Sequence, residues 1–328
     1  MTRRVSMADV AARAGVSAQT VSRVVNDSPR VDPATRARVE AAMAELGYRM
    51  HRAARALRTG RTDTIGLIVS NLATVGNSRM LQALADAAAG RGFALTVVTA
   101  SGRAGVADGF ARLHDQGIDG AVILNEATAL ARGLEVPEGL ALVVVDSPSD
   151  DRSAPAQRFI TVQTDHAAGA RAATERLLAR GVATVHHLAG PEDSFAAAER
   201  ERGWREALAD AGRPAPEVVR GDWTAASGHA AAASLGADVE ALFAANDQMA
   251  LGALRALADA GRRVPEDVAV VGFDDVDDAA DYRPPLTTIR QDFDALGAAA
   301  VESLVALIGG ADAPAVLLTP TLIPRDSA

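Results

Sequence analysis

The sequence predicts a small all-α helix-turn-helix head followed by an α/β core of two doubly wound lobes. Two short amphipathic helices separated by a glycine occupy residues 6–26. Residues 1–62 hold twelve arginines against five acidic residues, a net charge of +7, whereas the whole chain has a formal net charge of −9. From residue 64 onwards, continuous apolar runs alternate with helical stretches, which is typical of buried parallel strands joined by crossover helices.

The first two predicted helices have clear start and stop signals. Ser6 is placed to cap the first helix, with Asp9 completing the cap, and Gly15 ends it. Ser17 is placed to cap a second helix, which turns valines 21, 24 and 25 inward. Any short amphipathic helix pair shows such a pattern. A basic head on an acidic remainder, however, is typical of a DNA-binding module attached to a body that does not touch DNA.

The outward face of the second helix is expected to read DNA in the major groove. Glutamine can bond adenine N6 and N7, and arginine can bond guanine O6 and N7, so Gln19 and Arg23, one turn apart, suit neighbouring base pairs. The expected DNA contacts of this segment are Ser17, Ala18, Gln19, Thr20, Ser22, Arg23 and Asn26.

A third helix and an arginine-rich segment follow. The helix begins at Asp32–Pro33 and ends at Gly47, which completes a head of residues 1–48. Residues 49–63 are too few and too charged to form a stable helix alone. The segment is either a solvated linker or a hinge that becomes helical when DNA neutralises its arginines, Arg55 among them, and a second copy packs against it. Leu57 is isolated among these arginines and has no core to join.

The core, residues 64–328, has two groups of predicted strands. They are Ile65–Val69, Phe93–Val98, Gly120–Leu124 and Ala141–Val145, then Val185–Leu188, Ala241–Ala245 and Val268–Phe273. Each group alternates with helical stretches, so two doubly wound lobes are predicted.

Polar residues directly follow most of these strands. They are Ser70, Asn125, Asp146, Asn246 with Asp247, and Asp274. Each alone is more often a helix cap or turn former. Ligands of doubly wound sheets bind beyond the carboxyl ends of the strands, so the coincidence favours a cleft lined with carboxylates and amides. Such groups bind neutral polyols through paired hydrogen bonds.

An enzyme is the rival interpretation from another class, because many transferases have two lobes and a polar cleft. The sequence has no nucleophile-elbow, zinc-protease or P-loop motif, and it has no lysine. His186 and His187 are adjacent on a strand and point to opposite faces, which suits packing better than metal binding. The acidic run at residues 274–278 lacks the glycine and terminal glutamate of a calcium loop. No metal or cofactor is predicted.

An exported sugar carrier is a second rival. The N-terminal segment is basic but has no apolar h-region, and no run approaches the ~18 to 20 apolar residues of a membrane span. The chain has no cysteine, which excludes disulfides. We therefore expect a cytoplasmic protein with no membrane partner.

Five stretches carry a resemblance to a known family. They are residues 9–26 (DVAARAGVSAQTVSRVVN), 39–48 (VEAAMAELGY), 245–253 (ANDQMALGA), 270–275 (VVGFDD) and 284–297 (PPLTTIRQDFDALG). Along essentially its entire length, the chain resembles the lactose repressor family of bacterial transcription regulators. The resemblance implies a hinge helix and a core like a periplasmic sugar-binding protein. It implies a first lobe of about residues 64–160 plus 293–320 and a second lobe of about residues 161–292.

The resemblance also implies partners and site residues. The expected partners are a pseudo-palindromic double-stranded DNA operator, a second copy of the chain in a homodimer, and a small sugar, galactoside-like, that lowers operator affinity. The implied effector contacts are Ser70, Arg103, Asn125, Asp146, Arg200, Trp223, Asn246, Asp274, Gln291 and Phe293. Leu57 matches the leucine that the family inserts between base steps of the operator.

The sequence departs from the family pattern at three places. Ala18 stands where the family's namesake has a large polar aromatic residue, so the operator sequence is expected to differ. Met50–His51 replaces the usual Pro-Asn pair before the hinge. The C-terminal residues IPRDSA carry no heptad repeat, so no coiled-coil tetramer is expected.

Overall fold

The chain divides into two units, Met1–Thr62 and Asp63–Ala328, in a computed structural model of the protein. The structure describes residues 5–25, 28–48, 60–131, 133–147 and 159–328. The first unit contains the head, and the second contains both lobes of the core. The predicted DNA contacts Asn26, Arg55 and Leu57 lie outside the described residues.

The head has the three predicted helices, α1 (Met7–Ala14), α2 (Ala18–Val25) and α3 (Pro33–Leu46). Ser6 and Asp9 form a capping box, in which the Asp9 carboxylate accepts a hydrogen bond from the Ser6 backbone N–H at 2.8 Å. Gly15 ends α1 in the left-handed conformation, with a φ of 65°. The buried residues of the head core are Val10, Ala11, Val21, Val24, Val39 and Ala42.

The first lobe is a parallel six-stranded sheet. Its strands are β1 (Thr64–Val69), β2 (Ala94–Thr99), β3 (Gly120–Leu124), β4 (Ala141–Val145), β5 (Phe159–Thr164) and β11 (Val316–Leu318). Their spatial order is β11-β5-β4-β3-β1-β2. The helices of this lobe are α4 (Val75–Gly90), α5 (Gly102–Asp115), α6 (Glu126–Ala131) and α11 (Phe293–Ile308). All five residues of β3 are buried, which explains why its sequence is continuously apolar.

The second lobe repeats this architecture. Its strands are β6 (His186–Ala189), β7 (Val219–Arg220), β8 (Ala241–Ala244), β9 (Ala269–Asp274), β10 (Thr287–Arg290) and β12 (Thr321–Ile323). Their order is β12-β10-β9-β8-β6-β7, and β12 runs antiparallel to β10. The helices are α7 (His166–Leu178), α8 (Phe195–Asp210), α9 (Ala225–Ala233) and α10 (Asp247–Asp259). The predicted pair of doubly wound lobes is confirmed.

The lobe boundaries differ in detail from the predicted ones. Strand β5 belongs to the first sheet, where it pairs with β4 and β11, so this lobe continues to Thr164 and not only to residue 160. Strand β12 returns the chain to the second sheet. The sequence prediction missed β5 because Thr161 and Gln163 interrupt its apolar residues. It also placed β2, β6 and β9 one residue too early.

Candidate functional site

A cavity lies between the two lobes, beyond the carboxyl ends of their parallel strands. Its unfilled volume is about 550 Å³, the open mouth included. Eight of the ten predicted effector contacts line it: Asn125, Asp146, Arg200, Trp223, Asn246, Asp274, Gln291 and Phe293. Both lobes contribute, so a ligand held here touches each of them.

The other two predicted contacts, Ser70 and Arg103, do not line this cavity. Ser70 follows β1, and its hydroxyl donates a hydrogen bond at 3.4 Å to the Glu126 carboxylate, which does line it. Arg103 is exposed on α5, and its guanidinium lies beside Gly133. Helix α5 follows the edge strand β2. The first-lobe residues of the cavity instead follow β1, β3 and β4 or lie at the start of α11.

Asp274 and Arg200 form the charged centre of the second-lobe side. Arg200 Nη2 lies 3.5 Å from Asp274 Oδ1, and both side chains are only 5% exposed. Gln291 Nε2 donates a hydrogen bond to Asp274 Oδ1 at 2.7 Å. Arg200 also donates to the carbonyl oxygen of Ala245, at the end of β8. The second lobe therefore holds its buried charges in fixed positions.

Burial dominates the electrostatics of this centre. It raises the pKa of the Asp274 carboxyl, while the nearby Arg200 charge and the Gln291 hydrogen bond act in the opposite direction. Burial likewise lowers the pKa of Arg200, opposed by the charge of Asp274. Hydroxyl donors from a ligand would stabilise the ionised carboxylate, so the site is suited to a neutral polyol.

His166 lies between the acid of the first lobe and this centre. Its Nε2 lies 3.2 Å from Asp146 Oδ1, and its Nδ1 accepts a hydrogen bond from Arg200 Nε at 3.4 Å. An accepting Nδ1 places the ring proton on Nε2, which faces Asp146. Asp146 itself is fixed by the Thr164 backbone N–H, which donates to Oδ1 at 3.2 Å.

Sequence reasoning did not single out His166. The signal was available, because Asp165–His166 directly follows β5, as the other polar pairs follow their strands. Because β5 was not predicted, the polar residues that directly follow it were not considered as site candidates, whereas Asp146 and Asp274 were.

Trp223 supplies the flat apolar wall. Its ring lies 5.5 Å from the guanidinium carbon of Arg200, within cation–π range. The Trp223 carbonyl accepts a hydrogen bond from Asn246 Nδ2 at 3.0 Å, while Asn246 Oδ1 caps α10 through Met249 N–H at 2.9 Å. A Cβ at Gly190 would overlap the indole, so this position must be glycine. Phe293 adds a second ring from the first lobe, at the start of α11.

Backbone strain is concentrated in the cavity. Four of its lining residues have a positive φ: Asn125 (48°), Asp146 (53°), Trp223 (75°) and Asp274 (116°). Non-glycine residues seldom adopt such angles, and a bulky residue such as tryptophan does so least of all. Strain of this kind accumulates at binding sites, where it directs side chains toward a ligand.

Several polar lining residues were not predicted. They are Thr74, Asn77, Glu126 and Ser194. Asn77 is 1% exposed and donates through Nδ2 to the Asn71 carbonyl at 2.7 Å, while Asn125 donates to Asn77 Oδ1. Its place in the first turn of the helix after β1 was the available sequence signal.

The residues of α2 that are predicted to contact DNA differ in their exposure. Ala18, Gln19 and Arg23 are exposed, and Ser22 is half-buried. Ser17 has the predicted capping role, since its Oγ accepts a hydrogen bond from Thr20 N–H at 3.1 Å. Ser17, Thr20 and Arg23 share a shallow depression with Arg30, which was counted only as part of the basic charge.

The histidine pair on β6 is placed as its alternation predicts. His187 is fully buried and stacked on Phe243, with ring centroids 4.7 Å apart, whereas His186 is half-buried.

Within the described ranges, no group of three or more acidic or histidine side chains is arranged to hold a metal ion. No helix in the described part of the chain is long and apolar enough to cross a membrane.

Two family models match the chain. Residues 6–50 match the model described as bacterial regulatory proteins, lacI family, and residues 174–328 match the periplasmic binding protein-like domain. The first match covers the head with α1, α2 and α3. The second covers most of the lobe that holds Arg200, Trp223 and Asp274.

Curated relatives and solved structures match over almost the whole chain. The HTH-type transcriptional regulator CelR of Thermobifida fusca is 41% identical, over 94% of this chain and 93% of its own. The lactose operon repressor of Escherichia coli K12 is 39% identical, over 93% and 85%. A lac repressor dimer bound to operator and the anti-inducer ONPF has a TM-score of 0.87 at 35% identity, covering 99% of both chains. A CelR–cellobiose complex has a TM-score of 0.74 at 36% identity, covering 99% of this chain and 100% of its own. This chain belongs to the LacI family of bacterial regulatory proteins.

Proposed function

We propose that the chain is a transcriptional repressor that binds a pseudo-palindromic operator as a homodimer and releases it when a neutral, galactoside-like sugar occupies the interlobe cavity. Two-fold protein symmetry has to be mirrored in the DNA, because one head reads only a few base pairs. The operator-bound lac repressor dimer and the CelR–cellobiose complex support this assignment by similarity. The proposed site of action is the cytoplasm, where operator DNA is found.

One observation carries the proposal: polar groups of both lobes lie close together beside the cavity. Asp146 of the first lobe faces His166, His166 accepts from Arg200, and Arg200 pairs with Asp274. A sugar that bonds to both ends favours one arrangement of the lobes over another. Such a difference in affinity is what a ligand needs in order to shift a conformational equilibrium.

The cavity also has the two faces that a sugar requires. Carboxylate, amide and guanidinium groups suit its hydroxyl-rich edge, and the rings of Trp223 and Phe293 suit its C–H-rich face. The contacts Asn125, Asp146, Arg200, Asn246, Asp274 and Gln291 are therefore the proposed effector set. We assign the protein a regulatory and not an enzymatic role, because the curated relatives quoted above are transcriptional regulators.

The head is proposed to read the operator through α2. Arg23 is exposed and makes no ion pair in the described residues, so it is free to grip a guanine. Arg23→Ala is expected to weaken operator binding by about 1–3 kcal/mol and to relax specificity at one base position. Fluorescence anisotropy on a set of single-base operator variants measures this. Equal weakening for every operator variant would assign Arg23 to the phosphates. Leu57 remains the proposed wedge between base steps.

The effector proposal is tested by a thermal-shift screen of sugars and glycosides, followed by anisotropy with labelled operator. A ligand that binds only the folded state raises the melting temperature. We expect β-galactosides to raise it and to release the operator. A screen in which no sugar raises the melting temperature, or in which the binding sugar leaves operator affinity unchanged, contradicts the proposal.

A further inference from the structure

Glu126 differs from the other carboxylates that line the cavity. Asp146 faces His166, and Asp274 faces Arg200. Glu126 accepts a hydrogen bond from the neutral Ser70 hydroxyl at 3.4 Å. Among the described residues, no arginine or histidine forms an ion pair with it. Glu126 is therefore a half-buried lining carboxylate without an arginine or a histidine beside it in the described residues.

The backbone around Glu126 is firmly fixed. Asn125 N–H donates to the Val145 carbonyl at 3.1 Å, which ties the turn to the end of β4. The Asn125 carbonyl accepts from Thr128 N–H at 2.9 Å and from Thr128 Oγ1 at 2.6 Å. A φ of 48° at Asn125 turns the chain sharply between β3 and α6. Glu126 is thus held at the cavity wall by its neighbours.

An acidic residue at the start of a helix has a simpler role, which is to interact favourably with the positive end of the helix dipole. Glu126 is the first residue of α6 and fits that role. The dipole interaction changes protein stability. It does not make the affinity for a ligand depend on the charge that the ligand carries, and this difference separates the two roles.

The side chains that line the cavity include more acidic groups than basic ones. Three carboxylates line it, Glu126, Asp146 and Asp274, against the one arginine Arg200. Each excess negative charge repels an anion and attracts a cation, and the interaction is strengthened where water is partly excluded. Because Glu126 has neither an arginine nor a histidine beside it among the described residues and lies on the first lobe, we expect its effect at the first-lobe end of the cavity.

We propose that Glu126 is a specificity-determining residue that selects effectors by the charge of the group reaching the first lobe. It accepts hydrogen bonds from a hydroxyl or an ammonium group there and rejects a carboxylate or a phosphate. This inference rests on the proposed function, since it concerns the substituent of the sugar held by Asp274 and Arg200. It narrows the effector class to neutral or amino glycosides and excludes sugar acids and sugar phosphates.

The test uses three glycosides that differ only at the end of a short substituent: aminoethyl, hydroxyethyl and carboxymethyl, each on β-galactose and on β-glucose. Isothermal titration calorimetry gives their affinities for the full-length protein, for Glu126→Gln and for the control Glu302→Gln. Glu302 is a 70% exposed glutamate on α11, outside the cavity, so its variant removes the same charge from the same lobe.

For the wild type and for Glu302→Gln, we expect the aminoethyl glycoside to bind most tightly and the carboxymethyl glycoside least, with about tenfold between the extremes. In Glu126→Gln the order should collapse to nearly equal affinities. High salt should reduce the wild-type preference, because the interaction is between charges.

The failures are distinguishable. If the glycosides bind the wild type with equal affinity, or if the charge order survives in Glu126→Gln, the inference is wrong and the proposed function stands. A lowered melting temperature of Glu126→Gln with an unchanged charge order would assign Glu126 to the helix dipole. If no glycoside binds the wild type, the proposed effector class itself is wrong, and the inference fails with it.

Discussion

The two lobes share a topology but bury different kinds of polar group. In the described residues, the buried polar side chains of the first lobe are mostly neutral: Asn77, Thr128, Asp146, Ser147, Thr161, Thr164 and Ser303. The second lobe buries five ionisable side chains: His166, His187, Arg200, Asp247 and Asp274. The same scaffold thus buries an arginine–carboxylate pair on one side of the cavity, whereas the other side presents the amides Asn77 and Asn125 beside the carboxylates Glu126 and Asp146.

This difference explains how a cleft between similar lobes can respond to a ligand. Charges already desolvated and held in place need little reorganisation when a ligand binds, so in the proposed function we expect the second lobe to supply most of the sugar affinity. The first lobe adds hydrogen bonds only when it is correctly positioned. In the proposed function, ligand binding therefore favours one position of the first lobe, which follows the predicted hinge segment, residues 49–63, in the chain.

The largest effect is expected when the buried Arg200–Asp274 pair is broken. Arg200→Ala leaves Asp274 buried without its cation, which should lower the free energy of unfolding by about 3–5 kcal/mol. Arg202→Ala, on the same helix, removes an arginine that is 50% exposed and paired with Glu199 and Glu206. Its expected cost is below about 1 kcal/mol. Urea unfolding measures both, and equal losses would mean that the buried pair is not special.

Acid should weaken the second lobe through His187. Burial lowers the pKa of this side chain from 6.5 to about 4, so the folded protein resists a proton that the unfolded chain accepts. The contribution of His187 to the free energy of unfolding is fully present above pH 6.5. It falls by about 3 kcal/mol as the pH drops toward about 4. His187→Phe should flatten this part of the stability curve. A His187→Phe curve as steep as that of the wild type would contradict this account.

The stability that Asp247 contributes depends on pH in the direction opposite to that of His187. Burial and the nearby Asp274 charge raise its pKa well above the usual value, although the Thr288 hydroxyl donates to Oδ1 at 2.6 Å. The folded state therefore favours the protonated carboxyl, and the stability that it contributes falls as the pH rises above the ordinary range of an aspartate. Between the ordinary pKa of an aspartate and pH 6.5, the two buried groups therefore change the stability of the second lobe in opposite directions.

The smallest effect is expected at the surface, where Arg79 of α4 reaches across to Asp277 of the second lobe with 2.8 Å between Nη1 and Oδ1. The two side chains are 44% and 85% exposed, so the pair is worth roughly 0.2–1 kcal/mol. A double-mutant cycle with Arg79→Ala and Asp277→Asn, read out as the free energy of urea unfolding at low and high salt, measures the coupling. A coupling as large as the effect of Arg200→Ala would mean that the exposed pair stabilises the protein as much as the buried pair does.

Local signals predicted much of this arrangement from the sequence. The caps Ser6, Ser17 and Asp32 act within three residues, so the head helices could be placed closely. Asp146 and Asp274 were found because the carboxyl ends of parallel strands meet at one edge of a sheet. The rule needs the strand to be recognised, and it failed for His166 because β5 alternates apolar and polar residues.

Other parts of the site depend on tertiary structure alone. Arg79 and Asp277 lie 198 positions apart, and no local pattern pairs them. Glu126 resembles any acidic residue at the start of a helix until its place in the cavity is known. Arg103 was expected in the site and lies outside its lining because α5 follows an edge strand. Sequence periodicity specifies which elements form, whereas these distances follow from how the elements pack.

The most direct test of the central claim is the operator affinity of Asp274→Asn with and without the galactoside that gives the largest thermal shift in the wild type. The substitution keeps the size of the side chain and removes a charge-assisted partner worth roughly 1.5–3 kcal/mol, so sugar affinity should fall about tenfold or more. The variant should bind the operator as the wild type does and fail to release it at the sugar concentration that releases the wild type. Loss of operator binding with the fold intact, or release at the wild-type sugar concentration, would contradict the account.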